Sequence, residues 1–459
     1  MSTGDTIVAP ATPLGRSALA IVRIDGPGSN SVLAELLRAG LPEIRKATHA
    51  RLYSVSDVRL RGAQVDEART ADGREATTLL DDCVVVRYEG PHSFTGNDLV
   101  ELTLHGNPFL VERVIAACVA LGARMAEPGE FTERAVLNGK LDLVQAESIG
   151  DLIQSRTALQ ARLSLSNLEG ALSRKATATR AVLLDVISRL EAALDFSEEG
   201  YEFITREESL AQIDKALRDI EAMAETYRRG QATIAGLNAV ILGRPNAGKS
   251  TLLNRLVGSD RAIVTPIPGT TRDIVRETIE IGGLPVTLAD TAGLRESEDV
   301  VEGIGVARAR AAARDAEIVL YLIDASEGLR DEDRRELESL DQPLVVFTKT
   351  DLAPAPQEAM AISAVADHGI DSLLARLDEL VRERFAAPEG ALVNERQQHA
   401  VSDCAASLRS ARHSLVSGLD EQIVLVDLYS AANSLGLLTG AITRDDIFAQ
   451  IFGKFCIGK

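Results

Sequence analysis

Apolar residues change their spacing along this chain, and the changes divide it into regions. Near the N-terminus, short apolar runs end in turn residues: Ala18-Leu-Ala-Ile-Val-Arg-Ile24 before Asp25-Gly26-Pro27, and Asp82-Cys-Val-Val-Val-Arg-Tyr88 before Glu89-Gly90-Pro91. Between them, Asn30 to Ala39 has helical character, so residues 1–123 predict a small α/β or α+β domain. From about residue 140 the period lengthens. Leu183, Val186, Ile187, Leu190 and Leu194, then Ile213, Leu217, Ile220 and Met223, recur at three- and four-residue steps, as amphipathic packed helices require. The same texture returns after about 390 through Leu408, Leu415, Ile423, Leu425 and Leu428. Between the helical stretches, residues 236–386 alternate strands with helices. Each helical stretch needs apolar partners, so the pattern predicts one discontinuous helical domain, 124–235 with 387–459, holding an inserted doubly wound α/β domain.

Length and charge narrow the function. A chain of 459 residues exceeds one ordinary core. No run approaches the roughly 18 apolar residues of a membrane span. The first residues, Met1-Ser2-Thr3-Gly4-Asp5, lack the basic and apolar regions of a signal peptide, which predicts a cytoplasmic protein. The four cysteines, Cys83, Cys118, Cys404 and Cys456, have no metal-binding spacing and are expected to be reduced. A net charge of -19 argues against a broad basic surface, so an RNA partner would bind through local patches or a second protein.

The insert carries the clearest chemistry. The strand Ala239-Val-Ile-Leu242 leads into Gly243-Arg-Pro-Asn-Ala-Gly-Lys-Ser250, a full GxxxxGKS, followed by helical Thr251-Leu-Leu-Asn-Arg-Leu256. Glycines at 243 and 248 let backbone N–H groups of residues such as Asn246, Ala247 and Gly248 converge on phosphates, Lys249 reaches the β/γ oxygens, and the Ser250 hydroxyl suits Mg²⁺. Thr270 and Thr271, in Gly269-Thr-Thr-Arg-Asp273, can complete the Mg²⁺ shell and sense the γ-phosphate. Asp290-Thr291-Ala292-Gly293 follows an apolar strand; its aspartate suits a water-mediated Mg²⁺ contact and its glycine a γ-phosphate contact. Thr348-Lys349-Thr350-Asp351 and Ser363-Ala364 have the order of base-recognition motifs, with the Asp351 carboxylate accepting from guanine. Together they select GTP over ATP. Two positions depart from common GTPases. Thr348 stands where asparagine is usual, and can donate a hydroxyl but no amide pair. Leu294 stands where many small GTPases have a water-orienting glutamine, so another polar residue must act, with candidates in Arg295-Glu-Ser-Glu-Asp-Val-Val-Glu-Gly-Ile-Gly305.

These motifs, with Asp290-Thr-Ala-Gly-Leu-Arg-Glu296, Asp5-Thr-Ile-Val-Ala9, Pro128-Gly-Glu-Phe-Thr-Glu-Arg134, Leu137-Asn-Gly-Lys-Leu-Asp142 and the terminal Phe455-Cys-Ile-Gly-Lys459, make the chain resemble the MnmE (TrmE) family of tRNA-modification GTPases over nearly its whole length. The resemblance implies an N-terminal domain that binds 5-formyl- or 5,10-methylene-tetrahydrofolate and forms a homodimer. Arg23, Glu101, Lys140 and Lys459 would contact the folate. It implies activation by K⁺, held by Asn246 with Thr265, Ile267 and Thr270 in Thr265-Pro266-Ile267-Pro268-Gly269-Thr270, where family members often lack the prolines. Glu302 would be the catalytic glutamate. With the flavoprotein MnmG (GidA), which carries FAD and uses NADH, such a protein would install an aminomethyl-type group on the wobble uridine of certain tRNAs. Cys456 would serve as acid, thiolate or placement group, or the tail would only pack. The competing expectations are a ribosome-assembly switch of the Era or Der type, and a folate enzyme with a merely regulatory G domain.

Overall fold

The computed structural model describes residues 4–54, 78–196, 203–259, 261–263, 276–289, 314, 316–442, 451–453, 455 and 457–458. The chain forms two compact units, Met1–Gly150 with Thr439–Lys459, and Asp151–Leu438.

In the first unit, β1 (Ile7–Pro10), β2 (Leu19–Asp25), β3 (Thr48–Tyr53), β4 (Leu79–Tyr88), β5 (Leu99–His105) and β6 (Arg124–Met125) form a sheet in the order β3-β4-β5-β2-β1-β6. All pairings are antiparallel except β1 with β6. Helices Ser29–Leu37 and Pro108–Ala120 cover one face, burying Val22, Ile24, Leu33, Leu36, Leu102 and Val114. Asn107 starts the second helix by accepting from the Phe109 N–H at 3.0 Å, with Pro108 at the first helical position.

Compact packing carries this unit past residue 123. Arg124–Met125 is a strand of its sheet, and helix Glu130–Leu137 is bound to it by a buried charge cluster. Arg134, 2% exposed, pairs with Asp25 at 3.0 Å, Asp5 at 2.7 Å and Glu130 at 3.0 Å. The C-terminal segment also belongs here. Ile451 and Phe452 pack on Leu143 and Ala146, Ile457 bridges Pro128, and Gly458 lies against Pro10. Helical periodicity after 390 could not separate these residues from the helices before them, because an apolar face does not name its partner.

In the second unit, β7 (Leu237–Gly243), β8 (Arg276–Ile281), β9 (Leu284–Ala289), β10 (Ile318–Asp324), β11 (Leu344–Thr348) and β12 (Met360–Ala361) form a sheet in the order β12-β11-β10-β7-β9-β8. It is parallel except for the β8/β9 hairpin. Central strands buried on both faces explain the unbroken apolar runs: every residue of β10 is buried. The two helical stretches do meet. Helix Arg206–Glu225 packs on helix Glu395–Val416, and Arg412 pairs with Asp214 at 2.6 Å and Arg409 with Glu221 at 2.6 Å. The insert is stitched at its base, where the Thr233 hydroxyl donates to the Phe385 carbonyl and accepts from the Ala387 N–H, both at 3.3 Å. One helical position differs from expectation: Ile423 is 47% exposed while Val424 is fully buried, so the inward stripe of helix Glu421–Thr439 runs through Val424, Leu428 and Leu435. Among the described residues, no helix is long and apolar enough to cross a membrane.

Candidate functional site

The phosphate side of the site follows from β7. At Gly243 the chain turns with φ +134°, and any side chain there would run into the Leu322 carbonyl of the neighbouring β10. Only glycine fits. Asn246 has φ 64° and Gly248 φ 88°, and helix Lys249–Val257 begins immediately after. The first N–H groups of that helix have no carbonyl before them to bond, so they form an anion-binding end. Lys249 folds back over the loop, its Nζ donating to the Gly243 carbonyl at 2.9 Å and the Arg244 carbonyl at 2.7 Å. Ser250 and Thr251 stand exposed in the first turn and Ala247 is buried.

The base side is assembled from β10, β11 and the turn after β12. The Thr348 hydroxyl is buried and donates to the Ala247 carbonyl at 2.8 Å, with the Ile323 carbonyl at 3.3 Å. The hydroxyl that replaces the usual asparagine amide is therefore committed to the phosphate loop. Lys349, at φ 56°, pairs with Asp324 at 2.7 Å. Burial opposes ionisation of Asp324, but bonds from Lys349 and Ser326 outweigh it and hold the carboxyl below its ordinary value. Asp351 is oriented by Ser363, whose hydroxyl donates to Asp351 Oδ1 at 2.6 Å and accepts from the Ala366 N–H at 3.1 Å. The Thr350 N–H reaches the Ile362 carbonyl at 3.3 Å, and Ala364 follows Ser363 in the same turn. The phosphate loop and the base motifs thus converge at one end of the sheet, where β7, β10 and β11 finish.

The sequence reading missed Asp324 and Arg244. Asp324 ends an apolar strand, where a single carboxylate reads as a turn residue. Of the expected residues, Thr265, Pro266, Ile267, Pro268, Gly269, Thr270, Thr271, Asp290, Thr291, Ala292, Gly293, Glu302, Cys456 and Lys459 lie outside those described.

A half-buried polar patch occupies the first unit. Arg23 and Glu101 sit opposite one another on β2 and β5, and Arg23 Nε donates to Glu101 Oε1 at 2.8 Å. The register thus pairs two of the residues expected to contact folate with each other. The Arg23 guanidinium lies 5.6 Å from the Phe94 ring centre. Burial, and then Glu101, push the Tyr88 hydroxyl up. Lys140 Nζ donates to the Pro91 carbonyl at 3.0 Å. Tyr88 and Phe94 carry no motif in the sequence, and only the strand register brings Tyr88 near Glu101.

A phosphate-binding turn at a helix start, a lysine on that turn and a serine-held aspartate at the base position define a P-loop GTPase, a GTP hydrolase that uses GTP with Mg²⁺. Two family models match the chain: GTP-binding protein TrmE N-terminus over residues 6–140 and the MnmE helical domain over residues 143–456. The tRNA modification GTPase MnmE of Koribacter versatilis is 40% identical over 471 residues, covering 100% of both chains. That of Symbiobacterium thermophilum is 42% identical and covers 99% of each. A solved structure of Era from Aquifex aeolicus bound to GDP and aluminium fluoride aligns with 37% of this chain and 66% of its own, at 27% identity and a TM-score of 0.26. The chain belongs to the tRNA modification GTPase MnmE family.

Proposed function

We propose that this chain is a K⁺-activated GTPase that acts with the flavoprotein MnmG (GidA) on tRNA. Together they install an aminomethyl- or carboxymethylaminomethyl-type group at C5 of the wobble uridine of certain tRNAs, with the one-carbon unit drawn from a tetrahydrofolate. Residues 236–386 are the G domain in this reading, inserted between 124–235 and 387–459, and the N-terminal domain of residues 1–123 forms the homodimer and binds folate. The protein works in the cytoplasm.

Within the G domain, the loop Asn246–Thr251 cradles the phosphates, Ser250 and Thr271 hold Mg²⁺, and Asp290 to Gly293 sense the γ-phosphate. Lys349 and Asp351 face the guanine. Asn246, with Thr265, Ile267 and Thr270, holds K⁺, which offsets charge developing on the β/γ oxygens. Glu302 orients the attacking water. In the N-terminal domain, Arg23 and Lys140 suit the carboxylates of a folate tail, and Glu101 suits the donor face of a pterin. The Arg23–Glu101 pair fits such a ligand because it is only half buried, with side chains 23% and 22% exposed, so both charges stay reachable. Lys459 would join them and Cys456 would stand beside the folate.

The observation that carries this reading is full-length identity of 40% with a tRNA modification GTPase MnmE, spanning the guanine site and the paired Arg23 and Glu101 alike. The test is nucleoside mass spectrometry of tRNA from a strain lacking the gene. Loss of the C5 group from the wobble uridine is expected, and unchanged wobble uridine overturns the reading.

A further inference from the structure

The phosphate loop is fastened from outside the nucleotide motifs. Arg244, the second residue of GxxxxGKS, reaches the segment that follows β10: Nε donates to Asp333 Oδ1 at 3.2 Å, Nη1 to Glu327 at 2.5 Å and Nη2 to the Gly328 carbonyl at 3.0 Å. Asp333, in the first turn of helix Asp331–Glu338, is fully buried. Its oxygens take two more donors, the Tyr321 hydroxyl on Oδ1 at 3.0 Å and the Arg330 N–H on Oδ2 at 2.9 Å. Tyr321 is itself 0% exposed, and burial, followed by Asp333, pushes its hydroxyl up, so it stays a donor. On its backbone side Arg244 accepts from Lys249 at 2.7 Å. One residue therefore connects the phosphate lysine to a buried, braced carboxylate. An arginine needed only for solubility has no use for a buried counter-ion, since burying a carboxylate costs more than a surface pair returns.

We propose that Asp333 is a positioning residue for nucleotide binding: acting through Arg244, it sets the backbone of the phosphate loop and thereby where Lys249 and the loop N–H groups meet the phosphates. This rests on the reading of Gly243 to Ser250 as the phosphate site. Removing the charge at 333 leaves the loop to sample other arrangements, and the apparent affinity falls by the fraction of time the competent one is occupied.

The test is titration of the full-length chain with fluorescent GDP and GTP analogues, together with steady-state GTP hydrolysis. Asp333→Asn keeps the shape and an acceptor for Tyr321. It should raise Kd for both nucleotides about tenfold, which is about 1.4 kcal/mol. KM should rise with it while kcat at saturating GTP stays within about twofold. Arg244→Gln and the double variant should show the same loss rather than the sum, because the two residues act as one unit. Tyr321→Phe keeps the packed ring and guards against a folding defect; it should raise Kd less, in the same direction. Kd unchanged in Asp333→Asn overturns the proposal, as do losses that add in the double variant, or a fall in kcat and melting temperature with Kd unmoved. Lys249→Ala separates the two levels. If it binds GDP like the parent, the phosphate site is misread; if it loses binding while Asp333→Asn does not, only the role of Asp333 fails.

Discussion

Thr348 donates its hydroxyl to the carbonyl of Ala247 at 2.8 Å, in a buried position that joins the base loop to the phosphate loop. The two halves of the nucleotide site are therefore tied by a direct hydrogen bond. Thr348→Ala leaves a buried carbonyl short of a donor, a loss of about 1–3 kcal/mol. GDP and GTP affinity should fall roughly tenfold or more in a fluorescence titration, while the preference for guanine over adenine stays, because Asp351 is untouched.

Asp351 is held by Ser363 at 2.6 Å with its carboxylate as an acceptor. An asparagine there replaces an acceptor with a donor, which suits the carbonyl at C2 of xanthine better than the amine at C2 of guanine. Asp351→Asn should weaken GTP about a hundredfold or more and improve XTP, measured as kcat/KM for each nucleotide. Equal losses for both nucleotides would show that Asp351 does not face the base.

The buried Arg134 neutralises Asp25 and Glu130, which are 0% and 4% exposed. Arg134→Met strands those carboxylates and should lower the stability of the first unit by about 3–5 kcal/mol in urea unfolding. The pH dependence has a sign. Burial raises the Glu130 pKa, but Arg124 and the Glu127 N–H outweigh it and leave the carboxyl below its ordinary 4.5. Its contribution is therefore complete above pH 4.5 and lost as pH falls through the lower folded value. Asp25 behaves oppositely, since burial exceeds the help of Thr95, Asn97 and Arg134 and raises its pKa above 3.8. Ionising it costs stability as pH rises from 3.8 to the folded value, so Asp25→Asn should soften that cost.

Gly458 has φ +95°, and a side chain there would meet the Pro10 carbonyl. Gly458→Ala should detach the terminal residues from the first unit. If the tail serves the modification chemistry, wobble-uridine modification should fall sharply in nucleoside mass spectrometry while GTP turnover by the purified chain stays within about twofold.

Asn246 stands at φ 64° in the phosphate loop with an exposed side chain, where a monovalent cation beside the phosphates could reach it. GTP turnover should be faster in KCl than in NaCl, and Asn246→Ala should remove the difference. Glu302→Ala should lower kcat about a hundredfold or more with Kd for GTP within about twofold. Equal losses of binding and turnover would count against a water-orienting role.

Local sequence determined the nucleotide chemistry of this protein. Gly243, Gly248 and Lys249 act through backbone freedom and one long side chain, and the strand before them and the helix after them are written in adjacent residues. Asp351 was legible because it follows the apolar strand Leu344–Thr348, and Ser363 because of its place after Asp351 in the order of the motifs. The alternation of strand and helix also marked residues 236–386 as an α/β layer, and the paired helical textures on either side required a partner in each other.

Tertiary structure decided what those residues are attached to. That Thr348 bonds the phosphate loop, that Arg23 faces Glu101, and that Arg244 ends on Asp333 depend on strand register and on contacts between residues 78 to 101 positions apart. No periodicity encodes such distances. The C-terminal tail shows the difference most plainly. Its last five residues, Phe455 to Lys459, stood out only through the family resemblance, and only packing assigned Ile451, Phe452, Ile457 and Gly458 to the N-terminal unit, because burial is a property of two surfaces and the sequence supplies one at a time.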